Sequence, residues 1–122
     1  MIDNVYQPGY PVCRAGDSLA DAAAQMRDQR VGALVMCADD KVIGILSEHD
    51  VLRAVADGVD LRVATVGGYA TWGGHVADLR DDSAEVAHRM HDLDLRHLPA
   101  TSDGRVVGIV SMRDLLAVEA WV

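Results

Sequence analysis

Gly44-Ile45-Leu46-Ser47-Glu48-His49-Asp50 returns 64 positions later as Gly108-Ile109-Val110-Ser111-Met112-Arg113-Asp114. In each copy an apolar, β-branched run meets a Ser three residues ahead of an Asp, the pattern of a strand running directly into a capped helix. Outward from this string, and at the same offset, residues 16–54 lie on residues 80–118 without a gap. The identities include Asp17/Asp81, Ala20/Ala84, Met26/Met90, Leu34/Leu98, Asp39/Asp103 and Val42/Val106, and about a third of the aligned positions match. Many of the others are conservative, such as Asp21/Glu85, Lys41/Arg105 and Ile43/Val107. A duplication of this kind sets the fold and must be read before any motif.

Each copy reads as strand, helix, strand, strand, helix. Leu19, Ala22, Ala23 and Met26 recur at helical spacing, and Ser18 with Asp21 offers a capping box at the start of that helix. Residues 31–37 and 41–46 are strand-like runs separated by Ala38-Asp39-Asp40, and Ser102-Asp103-Gly104 is the stronger hairpin turn of the second copy. A second helix begins near Ser47, carries Val51, Leu52 and Val55 on one face, and is closed by Gly58. Pro11-Val12-Cys13-Arg14 and His75-Val76-Ala77-Asp78 are short strand candidates ahead of each first helix. Residues 63–77 hold no Asp, Glu, Lys or Arg and carry Gly67-Gly68 and Gly73-Gly74, which predicts a connector ordered only in part. The fold class is α+β: two β-α-β-β-α repeats, 1–62 and 63–122, the second including the connector. A unit of this size buries little surface alone, so the repeats are expected to pack through their sheets with pseudo-twofold symmetry.

Composition narrows the function. The chain has 122 residues, half of them hydrophobic and a quarter charged, so a packed core is expected. Aromatics make up 4% and Phe is absent, which leaves no platform for stacking single-stranded nucleic acid. Nineteen acidic against 11 basic residues give a net charge of −8, a surface that repels phosphate backbones and anionic lipid, so neither nucleic acid nor membrane is an expected partner. No apolar run reaches the roughly 18 residues of a spanning helix, and the first residues lack a basic region followed by an apolar one. The expected location is the cytoplasm. A single lysine, Lys41, among abundant Ala, Val, Asp and Arg points to a GC-rich bacterial genome.

With these features assembled, the sequence resembles a tandem pair of CBS domains, the Bateman module, in its stand-alone two-domain form. The resemblance spans essentially the whole chain and rests on Arg-Val-Gly-Ala-Leu-Val at 30–35, Gly-Ile-Leu-Ser-Glu-His-Asp at 44–50, Leu-Arg-His-Leu-Pro-Ala at 95–100 and Gly-Ile-Val-Ser-Met-Arg-Asp at 108–114. The lead-in Thr65-Val66-Gly67-Gly68-Tyr69-Ala70-Thr71 departs from the family, which more often has an acidic residue and a Met there. What the resemblance implies is a non-catalytic regulatory or sensor module that binds AMP, ADP, ATP or S-adenosylmethionine between paired domains, requires no cofactor, and alters its contacts with an unknown protein partner.

Ser47 with Asp50, and Ser111 with Asp114, have two compatible readings. Each pair is a capping box that satisfies amides of a first helical turn. The same helix N-terminus offers amides and partial positive charge to an anion, and the carboxylate can accept both hydroxyls of a ribose. The family arrangement implies cleft A from Pro11, Val12, Val31, Gly32, Ile109, Ser111, Arg113 and Asp114. It implies cleft B from His75, Val76, Leu95, Arg96, Ile45, Ser47 and Asp50. Arg96 and Arg113 are the phosphate candidates, because a guanidinium pairs with phosphate oxygens bidentately. Gly32 stands opposite Arg96 in the repeat, so unequal occupancy is expected.

Cys13 and Cys37 would come close if the strands that hold them were parallel neighbours; they support an alternative reading as a redox- or stress-linked interaction protein with empty clefts. Copy two has Ala77 and Thr101 there, so the repeat does not demand the pair. His88 and His91 share a helix face, but no ligand-spaced cluster completes a metal site, and none is expected. Walker A, G-x-S-x-G, HExxH and CxxC strings are all missing, which points away from an enzyme. Four amphipathic helices, beginning near Ser18, Ser47, Ser83 and Ser111, together with apolar Trp121 and Val122, predict a homodimer.

Overall fold

The computed structural model describes residues 1–4 and 6–119. In chain order it contains a 3-10 turn at Ile2–Asn4, β1 (Gln7–Pro8), β2 (Val12–Cys13), α1 (Leu19–Gln29), β3 (Ala33–Ala38), β4 (Lys41–Ser47), α2 (Glu48–Ala56) and α3 (Val66–Tyr69). These are followed by β5 (Thr71–Trp72), β6 (Ala77–Asp78), α4 (Ser83–Leu93), β7 (His97–Ser102), β8 (Arg105–Ser111) and α5 (Met112–Glu119). The expected α+β repeat is present twice, as β2-α1-β3-β4-α2 and β6-α4-β7-β8-α5. Trp121 and Val122, counted toward a dimer surface, lie outside the described residues.

Local chemistry explains the repeat. Ser18 Oγ accepts the Asp21 amide at 3.0 Å to start α1, whereas α4 is capped by Asp82, whose carboxylate accepts the Glu85 amide at 3.2 Å, and Ser83 is already helical. Both helices close on a left-handed residue, Arg30 at φ 55° and Asp94 at φ 54°, whose amides return to carbonyls of the last turn. The hairpin turns Asp39-Asp40 and Asp103-Gly104 have positive φ at both residues, the type I′ geometry that matches strand twist. Each hairpin carries a register shift at the same place, between Met36 and Cys37 and between Ala100 and Thr101.

The chain divides into two compact units, Pro11–Gly74, and Met1–Tyr10 joined to His75–Val122. The first has a sheet in the order β2-β3-β4-β5 and the second one in the order β1-β8-β7-β6. These units do not coincide with the division 1–62 and 63–122, because a short strand ahead of each repeat pairs elsewhere. Thr71 and Trp72 lie opposite Ile45 and Gly44, and Gln7 and Pro8 lie opposite Ile109 and Gly108.

The connector is therefore built, not ordered only in part. Val66 is fully buried, its amide donates to the Asp17 carbonyl, and the Gly67 amide donates to Ala15. A Cβ at Gly67 would stand 3.1 Å from both the Ala15 carbonyl and the Trp72 ring, so this glycine serves close packing and not freedom.

The interiors reuse equivalent positions. Leu34, Met26, Ala22, Leu46 and Cys13 are buried in the first unit, and Leu98, Met90, Val86, Val110 and Ala77 in the second. Truncating such a leucine to Ala removes about 2–5 kcal/mol.

Candidate functional site

In the Pro11–Gly74 unit, β4 delivers Ser47 to the start of α2. Ser47 accepts the Asp50 amide at 3.2 Å, and Asp50 Oδ2 accepts the Ser47 amide at 2.8 Å and its hydroxyl at 3.0 Å. The capping box is complete, and Asp50 is a buried carboxylate. The Glu48 amide donates to the Gly32 carbonyl at 2.9 Å, which places the lead-in to β3 beside this helix terminus. Pro11 and Val12 sit on the other flank of β3. The Val35 amide donates to the Pro11 carbonyl at 2.9 Å, and Val12, Val35, Ile45 and Thr71 form a row across the sheet.

The second unit has the same frame with different occupants. Ser111 Oγ accepts the Asp114 amide at 3.1 Å, and the Met112 amide donates to the Arg96 carbonyl at 2.8 Å. The return bond differs: among the described residues no donor pairs with the Asp114 carboxylate, which is half-buried. Arg96 and Arg113 are exposed and form no ion pair among the described residues. Position 35 of the first repeat becomes Pro99, which has no N–H, so the bond that occupies the Pro11 carbonyl cannot form to His75. His75 is exposed and Val76 half-buried, whereas Leu95 is buried.

The structure thus brings together Pro11, Val12, Val31, Gly32, Ile45, Ser47 and Asp50 in one unit. It brings together His75, Val76, Leu95, Arg96, Ile109, Ser111, Arg113 and Asp114 in the other. Clefts A and B as expected from the sequence each draw on both units. Sequence reasoning missed Arg53 and Tyr69. Arg53 Nη1 lies 3.7 Å from Asp50 Oδ1, its Nη2 donates to the Tyr69 carbonyl at 2.8 Å, and its guanidinium stands 5.4 Å from the Tyr69 ring centre. The i,i+3 spacing from Asp50 to Arg53 was the available signal; nothing local pointed to Tyr69.

The cysteines are both free thiols, although β2 and β3 are parallel neighbours as the pairing required. Cys13 lies opposite Met36, one position short of Cys37. Burial, then the nearby Asp17 and Cys37, push the Cys13 thiol up to about 12. Burial and Asp40 also raise Cys37. A thiol held protonated is a poor nucleophile. His88 is exposed, His91 sits 3.8 Å from Asp92, and the described residues contain no group of three metal ligands. No described helix is long and apolar enough to cross a membrane.

Comparison with known proteins matches the chain to the CBS domain family, over residues 2–57 and 76–120. Hypoxic response protein 1 of Mycobacterium tuberculosis is 34% identical over 101 residues, which span 81% of this chain and 71% of that protein. Among solved structures, Hypoxic Response Protein I with two coordinated zinc ions is 30% identical with a TM-score of 0.74, covering 94% of this chain and 95% of that one. A CBS domain protein from Pyrobaculum aerophilum complexed with AMP is 25% identical with a TM-score of 0.78, covering 95% and 94%.

Proposed function

The chain belongs to the CBS domain family, and from that premise we propose that it is a non-catalytic sensor that binds an adenosine-containing ligand at Asp114. The observation that carries this reading is the Asp114 carboxylate, which has no donor among the described residues, on the first turn of α5 beside the Ser111 hydroxyl. A ribose diol needs an acceptor with free lone pairs, and Asp114 has them. Arg113 and Arg96 are exposed cations on the same unit for a phosphate group. The His75 carbonyl, which has no Pro99 amide to engage it, is an acceptor suited to an exocyclic amine. AMP bound to the relative from Pyrobaculum aerophilum supports the ligand class.

Ligand binding then changes contacts with another protein in the cytoplasm. Exposed Leu52 and Val55 on α2 and Leu116 on α5 support a homodimer, which light scattering would report as twice 13.1 kDa. The test of the central reading is a thermal-shift panel of AMP, ADP, ATP and S-adenosylmethionine. A ligand at 100 times its Kd adds about 2.7 kcal/mol, a rise of roughly 10 °C in Tm. Asp114→Ala should abolish that rise; an unchanged rise in the variant removes Asp114 from the site.

A further inference from the structure

The half-site at Asp50 is closed by its own surroundings in a way that the repeat does not require. Its Oδ2 already takes two donors from Ser47, and its Oδ1 faces the Arg53 guanidinium at ion-pair distance, 3.7 Å, so the buried carboxylate is hydrogen-bonded on one oxygen and charge-paired on the other. Arg53 is itself fixed: Nη2 donates to the Tyr69 carbonyl, the guanidinium lies over the Tyr69 ring, and the Tyr69 hydroxyl donates to Asp57 at 3.0 Å. One arginine therefore ties the first turn of α2 to α3. In the second repeat Ala117 stands where Arg53 stands in the first, so the same tie cannot be made to Asp114. Duplication has given two Ser/Asp motifs, and the exchange of Arg53 for Ala117 adds a charge-paired arginine to one of them.

We propose that Arg53 is an internal competitor that holds the Asp50 half-site shut to ribose-bearing ligands, so that the chain binds one equivalent at Asp114 and a second only when Arg53 is withdrawn. This rests on the reading of Asp114 as the ribose acceptor. The physical basis is competition for lone pairs. A cis-diol must donate two O–H groups to one carboxylate, and at Asp50 Oδ2 is occupied by Ser47 while the guanidinium, 3.7 Å from Oδ1, stands in the approach to the other oxygen. Removing the guanidinium frees Oδ1 and loosens the link to α3, while the Ser47 cap stays in place.

Calorimetric titration with AMP tests this on the full chain. The wild type is expected to bind one equivalent, lost in Asp114→Ala. Arg53→Ala is expected to bind two, with the second site at least tenfold tighter than any second binding in the wild type, and Arg53→Ala/Asp50→Ala should return to one. Arg53→Met, which keeps a long unbranched side chain without the charge, guards against loss of the fold and should behave as Arg53→Ala. Two equivalents in the wild type, or one in both folded Arg53 variants, overturns the gating role while leaving the Asp114 reading intact. One equivalent that survives Asp114→Ala, or no binding by any variant, overturns the ligand reading and the gate with it. No wild-type binding, with binding by the Arg53 variants that disappears on Asp50→Ala, overturns the Asp114 reading and supports the gate.

Discussion

Asp50→Ala and Asp114→Ala occupy equivalent places in the repeat, yet should differ several-fold in their effect on stability. At Asp50 the substitution deletes two hydrogen bonds from Ser47, at 2.8 and 3.0 Å, and the looser ion pair to Arg53 at 3.7 Å. Hydrogen bonds to a charged acceptor contribute about 1.5–3 kcal/mol, and a half-exposed ion pair under about 1. Better helix propensity of Ala returns about 0.5 kcal/mol. The net loss is about 2.5–6 kcal/mol, or roughly 10 °C or more in Tm for a chain of this size. At Asp114 the cap is made by the residue's own backbone amide to Ser111 Oγ, which Ala retains. What disappears is a favourable charge at a helix N-terminus, about 0.3–1 kcal/mol, and the propensity gain offsets most of it. That net effect is within about 0.5 kcal/mol. Thermal and urea unfolding of both variants, without ligand, measure the difference. Equal losses, or the larger loss at Asp114, would refute the assignment of the complete box to Asp50.

Three further outcomes follow from other parts of the molecule. Gly44→Ala places a Cβ 2.5 Å from the Thr71 carbonyl and 2.6 Å from Met36, so β5 must shift; a loss of about 1–3 kcal/mol with altered Trp72 emission is expected, and an unchanged spectrum and Tm would contradict the pairing. Cys13, with its thiol pushed up to about 12, should alkylate at pH 8 roughly a thousandfold slower than a free thiol and more slowly than Cys37, as peptide mass spectrometry can show. Fast disulfide formation between the two under mild oxidant would favour the redox alternative instead. Because the folded value of Cys13 lies above its unfolded value, its contribution to stability is full below about pH 9 and declines as pH rises toward 12, so Cys13→Ala should flatten the alkaline arm of a stability profile.

The parts of the fold that the sequence disclosed are those where local chemistry and duplication agree. Both type I′ hairpins, both Ser-capped helices after them and the first helix of each repeat were legible, because Asp39/Asp103, Ser47/Ser111 and Met26/Met90 repeat at one offset. Composition then misled at residues 63–77. Their lack of charge reads as a loop, yet the stretch holds α3 and β5, with Val66 buried and Gly67 closely packed.

The same 64-residue offset continues to the start of the chain, and there it pairs buried Ile2 with buried Val66, Gln7-Pro8 with Thr71-Trp72, and Gly9 with Gly73, both at positive φ. Almost none of this is identity, because a two-residue edge strand specifies backbone pairing and not side chains, so many sequences satisfy it. The consequence reaches the functional residues. Gly44 and Gly108 are glycines that stand opposite Trp72 and Pro8 in those edge pairs, and at Gly44 a Cβ would strike β5. The glycine that opens the first Gly-Ile-x-Ser-x-x-Asp motif is thus fixed by the edge strand, whereas the Ser and Asp that close it are fixed by the helix cap. Only the second constraint acts within seven residues, which is why the motif was visible from the sequence and its dependence on residues 7–8 and 71–72 was not.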